Sequence, residues 1–194
     1  MANAEDSNSG KSRSSKLPLF IAAAFVVSLC TSFLTQLPAY LGDLGIDTLT
    51  LSTIMSVASV VLTVSKVALG SFYDVLGKKL TVVFALGLFA VSFMTMMIGN
   101  TAVLAISSAT ISVGMASSTV LPPLISKDMF GSEDYTSVWA IINASVLAGG
   151  ALGSVVWGSV YDFAGSYYPG MCAAPLLLIF AMFVWVRQIN TAKS

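Results

Sequence analysis

"GSFYDVLGKK", residues 70–79, closes a long apolar run, and "GSVYDFAG", residues 158–165, closes another. The two stretches share the pattern Gly-Ser-x-Tyr-Asp-x-x-Gly, so Gly70, Asp74 and Gly77 are answered 88 residues later by Gly158, Asp162 and Gly165. The first copy alone continues into lysines, Lys78 and Lys79. What each stretch terminates, and on which side of a barrier, decides the fold.

Of 194 residues 56% are hydrophobic and 9% charged, against about 25% charged in a typical soluble domain. Charge is absent from 17–42, 48–65, 67–73, 80–126, 135–161 and 163–186. A helix crosses the hydrocarbon core with about 20 apolar residues. The run 80–126 would be about 70 Å of helix, too long for one crossing, and "IGNT" at 98–101 holds the turn residues that divide it. The expectation is an all-α, polytopic membrane protein with six spans near 17–41, 50–73, 79–98, 102–125, 136–161 and 167–187. Residues 1–16, polar and serine-rich, read as a disordered cytoplasmic tail or linker. Residues 17–188 read as the transmembrane unit and 189–194 as a short tail.

Basic residues set the expected orientation. Lys11, Arg13, Lys16, Lys78, Lys79, Lys127, Arg187 and Lys193 all fall on one side of the six spans, and the opposite loops hold Asp43, Asp47 and Asp162. Positive residues favour the cytoplasm, so both termini are expected there, in a multi-pass cell-membrane protein. Tyrosines and tryptophans near span ends read as an interfacial belt. A net charge of zero gives no electrostatic footprint for nucleic acid. Histidine is absent, and Cys30 and Cys172 lie in apolar segments as packing residues, so no metal site, cofactor or disulfide framework is expected. Catalysis needs positioned acid-base or nucleophilic groups, and the spans offer one lysine without a carboxylate, so the chain reads as a non-enzyme.

The repeated stretches end spans two and five. Three crossings separate them, so they face opposite sides, the relation produced by two inverted three-helix repeats. Gly70 and Gly158 would permit close helix approach, the aspartates would cap a neighbouring first turn, and Gly77 would allow a reversal. Gly149 and Gly153 form a small-xxx-small packing face. Pro38 is expected to bend or end span one, and Pro122 and Pro123 to mark the end of span four.

Lys66 breaks the charge pattern, lying inside span two. Such a cation faces a polar cavity or snorkels to the surface. Gln36 and Asn143 are the other intramembrane polar candidates, for substrate or for an interhelical hydrogen bond.

Gly70-x-x-x-Asp74-x-x-Gly77-Lys78-Lys79 resembles the signature loop joining the second and third helices of each six-helix half in the major facilitator superfamily. "LPAYLGDLGID", residues 37–47, and the stretch 123–170 resemble the carboxyl-terminal half of its oxalate/formate antiporter and monocarboxylate transporter branch. The resemblance covers roughly residues 17–188 and implies half of a major facilitator fold. It implies secondary transport of a small organic anion by alternating access, with a proton or counter-anion balancing charge. Lys66 would bind the carboxylate, helped by Gln36 and Asn143. Gly70, Asp74, Gly77, Lys78 and Lys79, with Gly158, Asp162 and Gly165, would form the gating motif. The partner would be an amino-terminal six-helix half or a second copy. The alternative is a non-transporting membrane scaffold, a remnant of the same fold.

Overall fold

The computed structural model describes residues 2–130 and 135–191, with side chains described for 17–129 and 135–190. Among these residues the elements are α1 (Ala2–Thr31), α2 (Phe33–Asp43), α3 (Thr48–Val75), α4 (Lys78–Met96), α5 (Thr101–Phe130), α6 (Tyr135–Ala164) and α7 (Tyr168–Thr191). They supply six spans long and apolar enough to cross a membrane, Leu17–Asp43, Thr48–Val75, Lys78–Met96, Thr101–Met129, Tyr135–Ala164 and Tyr168–Asn190. α1 begins at Ala2, inside the segment that the sequence reads as a disordered tail. A helix already nucleated in the apolar span gains one bond per added residue.

Each reversal has a local cause. Asp47 caps α3, accepting from the backbone N–H of Leu49 at 3.1 Å and of Thr50 at 3.0 Å. Its carboxyl is held below the usual carboxylate range, chiefly by the Thr50 side chain. Asn100 Oδ1 accepts from the N–H of Ala102 at 3.0 Å, which starts α5 after the "IGNT" turn. Gly77 and Gly165, the last glycines of the two repeated stretches, both take left-handed backbone, with φ of 87° and 66°, a conformation that glycine adopts without a Cβ penalty.

The prolines do not end their helices. α2 continues through Pro38 to Asp43, and the break in span one falls earlier, at Ser32. There the hydroxyls of Thr31 and Ser32 bond back to the Ser28 carbonyl and that of Thr35 to the Ser32 carbonyl, loosening the turn. α5 runs through Pro122 and Pro123 to Phe130.

α1 packs on α6 and α7, α3 on α5, and α4 on α5 and α7. Exchanging the first three spans for the last three maps this set of contacts onto itself, so the bundle is two inverted three-helix repeats. The α1–α6 seam is backbone to backbone. A Cβ on Gly149 would lie 2.5 Å from the Phe25 carbonyl oxygen, and one on Gly153 would lie 2.6 Å from that of Leu29. Gly70 and Gly158 would meet nothing within 4 Å, so within this chain they serve no close approach, contrary to expectation.

The core also corrects the aromatic belt. Tyr40, Tyr73, Trp157, Tyr167 and Trp185 are buried. Phe33 packs on Trp157 at 4.7 Å and on Phe93 at 5.4 Å between centroids, and Trp157 Nε1 donates to the Leu29 carbonyl at 3.1 Å. These rings stand near span ends but turn inward, where the polar tips of Tyr40, Tyr73, Trp157 and Tyr167 find partners. Cys30 is buried as expected; Cys172 is exposed on the outside of the bundle.

Candidate functional site

α3 and α6 are the least buried spans. Between them, a groove of about 590 Å³ opens, walled by α1–α2, α3, α5 and α6. Its α6 wall is built by register. α1–α2 and α6 run parallel, and Ser28, Ser32 and Gln36 each reach the carbonyl of the residue 118 positions on: Val146 at 2.6 Å, Gly150 at 2.7 Å and Ser154 at 3.4 Å. Four-residue steps keep both series on facing stripes.

The sequence-predicted residues divide. Gln36 is tied into the frame: its Nε2 meets Ser154 and its Oε1 accepts from the Tyr167 hydroxyl at 3.3 Å. Asn143 is half-buried and shares the α6 stripe that carries Leu147 and Gly150 into the groove. Lys66 is exposed. It lies three turns from the groove-lining Met55, on the same side of α3. Ser52, Ser56, Ser59 and Thr63 continue an exposed polar stripe up α3, each hydroxyl bonded to the carbonyl four residues back. Lys66 stands nine residues from the end of α3 and Asn143 eight from the start of α6. At about 1.5 Å per residue, both therefore lie roughly 12–14 Å from the Lys78 face.

At that face a second hollow, about 500 Å³, is lined by Tyr73, Asp74, Lys78, Lys79 and Asp128. Asp128 was not singled out in the sequence, yet it is the hub. Its Oδ2 accepts from the Tyr73 hydroxyl at 2.6 Å and lies 2.7 Å from Lys78 Nζ. Asp74 does not cap α4, whose N-cap is Gly77 without a side-chain bond. It is exposed at the hollow's edge. On the opposite face the repeat is answered in kind, for Tyr161 stands beside the carboxylate of Asp43 at the end of α2. Tyr73 with Asp128 and Tyr161 with Asp43 are thus one contact made twice under the inverted repeat. Two aspartates at the ends of spans one and four were the available sequence signal. Among the described residues no group of acidic, cysteine or histidine side chains could hold a metal ion.

Residues 19–194 match the sequence model of the Major Facilitator Superfamily. The chain belongs to that superfamily. No curated protein matches it. Its six spans form one half of the major facilitator fold, and membership carries secondary transport rather than enzymatic chemistry. A bilayer-embedded module of this kind is consistent with pairing to a second half, and the lightly buried α3 and α6 flank the open groove.

Proposed function

We propose that this protein forms one half of a major facilitator transporter that moves a small organic anion, of monocarboxylate or oxalate/formate type, by alternating access. Both termini are cytoplasmic, a proton or counter-anion balances charge, and a second six-helix half, or a second copy, closes the path. The reading rests on Lys66, a cation more than two turns from any helix end, exposed on the groove side of α3. An ammonium at that depth is costly unless water, an anion or a counter-charge reaches it. The gating motif of Asp74, Lys78 and Lys79 then belongs to the cytoplasmic face.

The test is binding of labelled anions to the full chain in lipid nanodiscs. Lys66→Ala removes binding, whereas Lys66→Arg keeps part of it, since charge persists while donor geometry changes. Unchanged affinity for every anion in Lys66→Ala overturns the assignment.

A further inference from the structure

We infer that the groove takes an apolar monocarboxylate bearing a hydrogen-bond donor close to its carboxylate, a 2-hydroxy or 2-amino acid, and discriminates against oxalate and formate. This rests on the anion reading above and narrows it.

The groove has a polarity. Two N–H donors stand beside its lining at about one level: Lys66, on the side of α3 that carries Met55, and Asn143, on the α6 stripe that carries Leu147 and Gly150. The Tyr73–Asp128 bond fixes α3 and α5 at an offset of 55 residues. Carried along the two parallel helices, that offset sets Lys66 level with Leu121, within a turn of Thr119. A carboxylate is an acceptor only, so this level is where it belongs.

The rest of the wall offers acceptors. Each of the seven hydroxyls lining the groove donates its single proton to a backbone carbonyl, those of Thr35, Thr119 and Ser154 among them, at 2.7, 3.0 and 3.3 Å. What these oxygens have left is lone pairs, and re-aiming one at a ligand acceptor forfeits a bond already made. The prolines add backbone acceptors independently. Proline has no N–H to give the carbonyl four residues before it. Pro38, Pro122 and Pro123 therefore withhold the usual donor from the carbonyls of Leu34, Ser118 and Thr119, and all three of those residues line the groove. In a membrane such groups call for a partner. Leu34, Met55, Met115, Val146, Leu147 and Ala151 make the remaining lining apolar. A bare dicarboxylate offers this wall nothing but further acceptors; an apolar acid with a hydroxyl or ammonium offers a donor and a body that fits.

Three acids on one carbon skeleton, 4-methylpentanoate and its 2-hydroxy and 2-amino derivatives, together with oxalate and formate, are compared for binding to the full chain in nanodiscs by saturation-transfer NMR. One donor-bearing acid is expected to bind about threefold to tenfold more tightly than the unsubstituted acid, the value of one added neutral hydrogen bond, with oxalate and formate weakest. Whichever derivative wins identifies the donor. Pro122→Ala and Pro123→Ala restore the missing N–H groups, and Thr119→Val removes a hydroxyl oxygen at constant shape. Each shrinks the preference, read as the ratio of substituted to unsubstituted acid, while Thr119→Ser preserves it. Equal binding of substituted and unsubstituted acids, still dependent on Lys66, overturns this inference and leaves the anion reading standing. A preference untouched by the proline and Thr119 variants also overturns it. Acids that fail to bind, or that ignore Lys66→Ala, overturn both.

Discussion

Gly149 meets Phe25 backbone to backbone: the carbonyl oxygen of Phe25 occupies the space where a Cβ on residue 149 would sit, 2.5 Å away. The obstacle is main chain, which no rotamer change can move. Gly150, its neighbour, would meet only the Ser28 Oγ, at 3.5 Å, an ordinary contact. Gly149→Ala should therefore force α1 and α6 apart and destabilise the bundle by about 1–3 kcal/mol, the usual cost of overpacking. Gly150→Ala should be close to neutral. Unfolding in detergent checks both, and equal stabilities would refute the seam as the tight point of the fold.

The hub at Asp128 ranks two bonds that share one oxygen. The ion pair with Lys78 is half-open to solvent, the side chains being 38% and 33% exposed, and pairs of that kind contribute about 0–1 kcal/mol. The Tyr73 hydroxyl is donated from a buried ring to the same carboxylate at 2.6 Å, and hydrogen bonds to charged groups contribute about 1.5–3 kcal/mol. Tyr73→Phe should cost more stability than Lys78→Ala, as measured by double-mutant cycles with Asp128→Asn. The reverse order would mean that the lysine, not the tyrosine, holds α3 to α5.

The six spans were legible because length and charge-free composition leave a helix little choice in a bilayer. Asp47, Asn100 and Gly77 likewise carry their turn chemistry in their own side chains or in the lack of one. Lys66 was visible because a lone charge in an apolar run is conspicuous. What the sequence hid depends on partners far along the chain. Trp157 turns inward because Phe33 and the Leu29 carbonyl are there to receive it. Pro38 and Pro122 read as helix ends, because proline alone does not reveal that a membrane helix can continue past it. Asp128 has no sequence signature of a hub, because its role depends on Tyr73, 55 residues earlier in the chain.

The proposed orientation rests on the segregation of eight of the nine basic residues and is open to single-cysteine labelling. Gly45, Gly77 and Gly165 are poor sites, because their positive φ would strain any side chain. Leu44, Ser166 and Leu76 stand beside them. In a background where the exposed Cys172 is replaced by serine, Leu44→Cys and Ser166→Cys should react with an impermeant reagent from outside intact cells. Leu76→Cys should react only after permeabilisation. Labelling of position 76 from outside would invert the topology.

α3 carries the sharpest test of how the open face is used. Its surface has three stripes. One, with Ile54, Ala58, Ser65, Leu69 and Tyr73, is buried in the bundle. The second, with Ser52, Ser56, Ser59, Thr63 and Lys66, is exposed and polar. The third, with Leu49, Val60, Val64, Val67 and Val75, is exposed and apolar. Steps of three and four residues keep each stripe on one side of the helix. A hydroxyl bonded to its own helix, as those of Ser52, Ser56, Ser59 and Thr63 are, can face lipid at little cost; an ammonium cannot. Since Lys66 continues the polar stripe, water or ligand should reach the whole of it. Cysteines placed singly along α3 in the membrane-embedded protein should then react with a hydrophilic thiol reagent at positions 52, 56, 59 and 63. They should resist it at 60, 64 and 67, where lipid or a partner helix covers the valines. A period of 3.6 residues with its maximum on the lysine side is the expected pattern. Uniform protection would leave Lys66 reaching water by snorkelling alone, and the path would have to be sought elsewhere in the bundle.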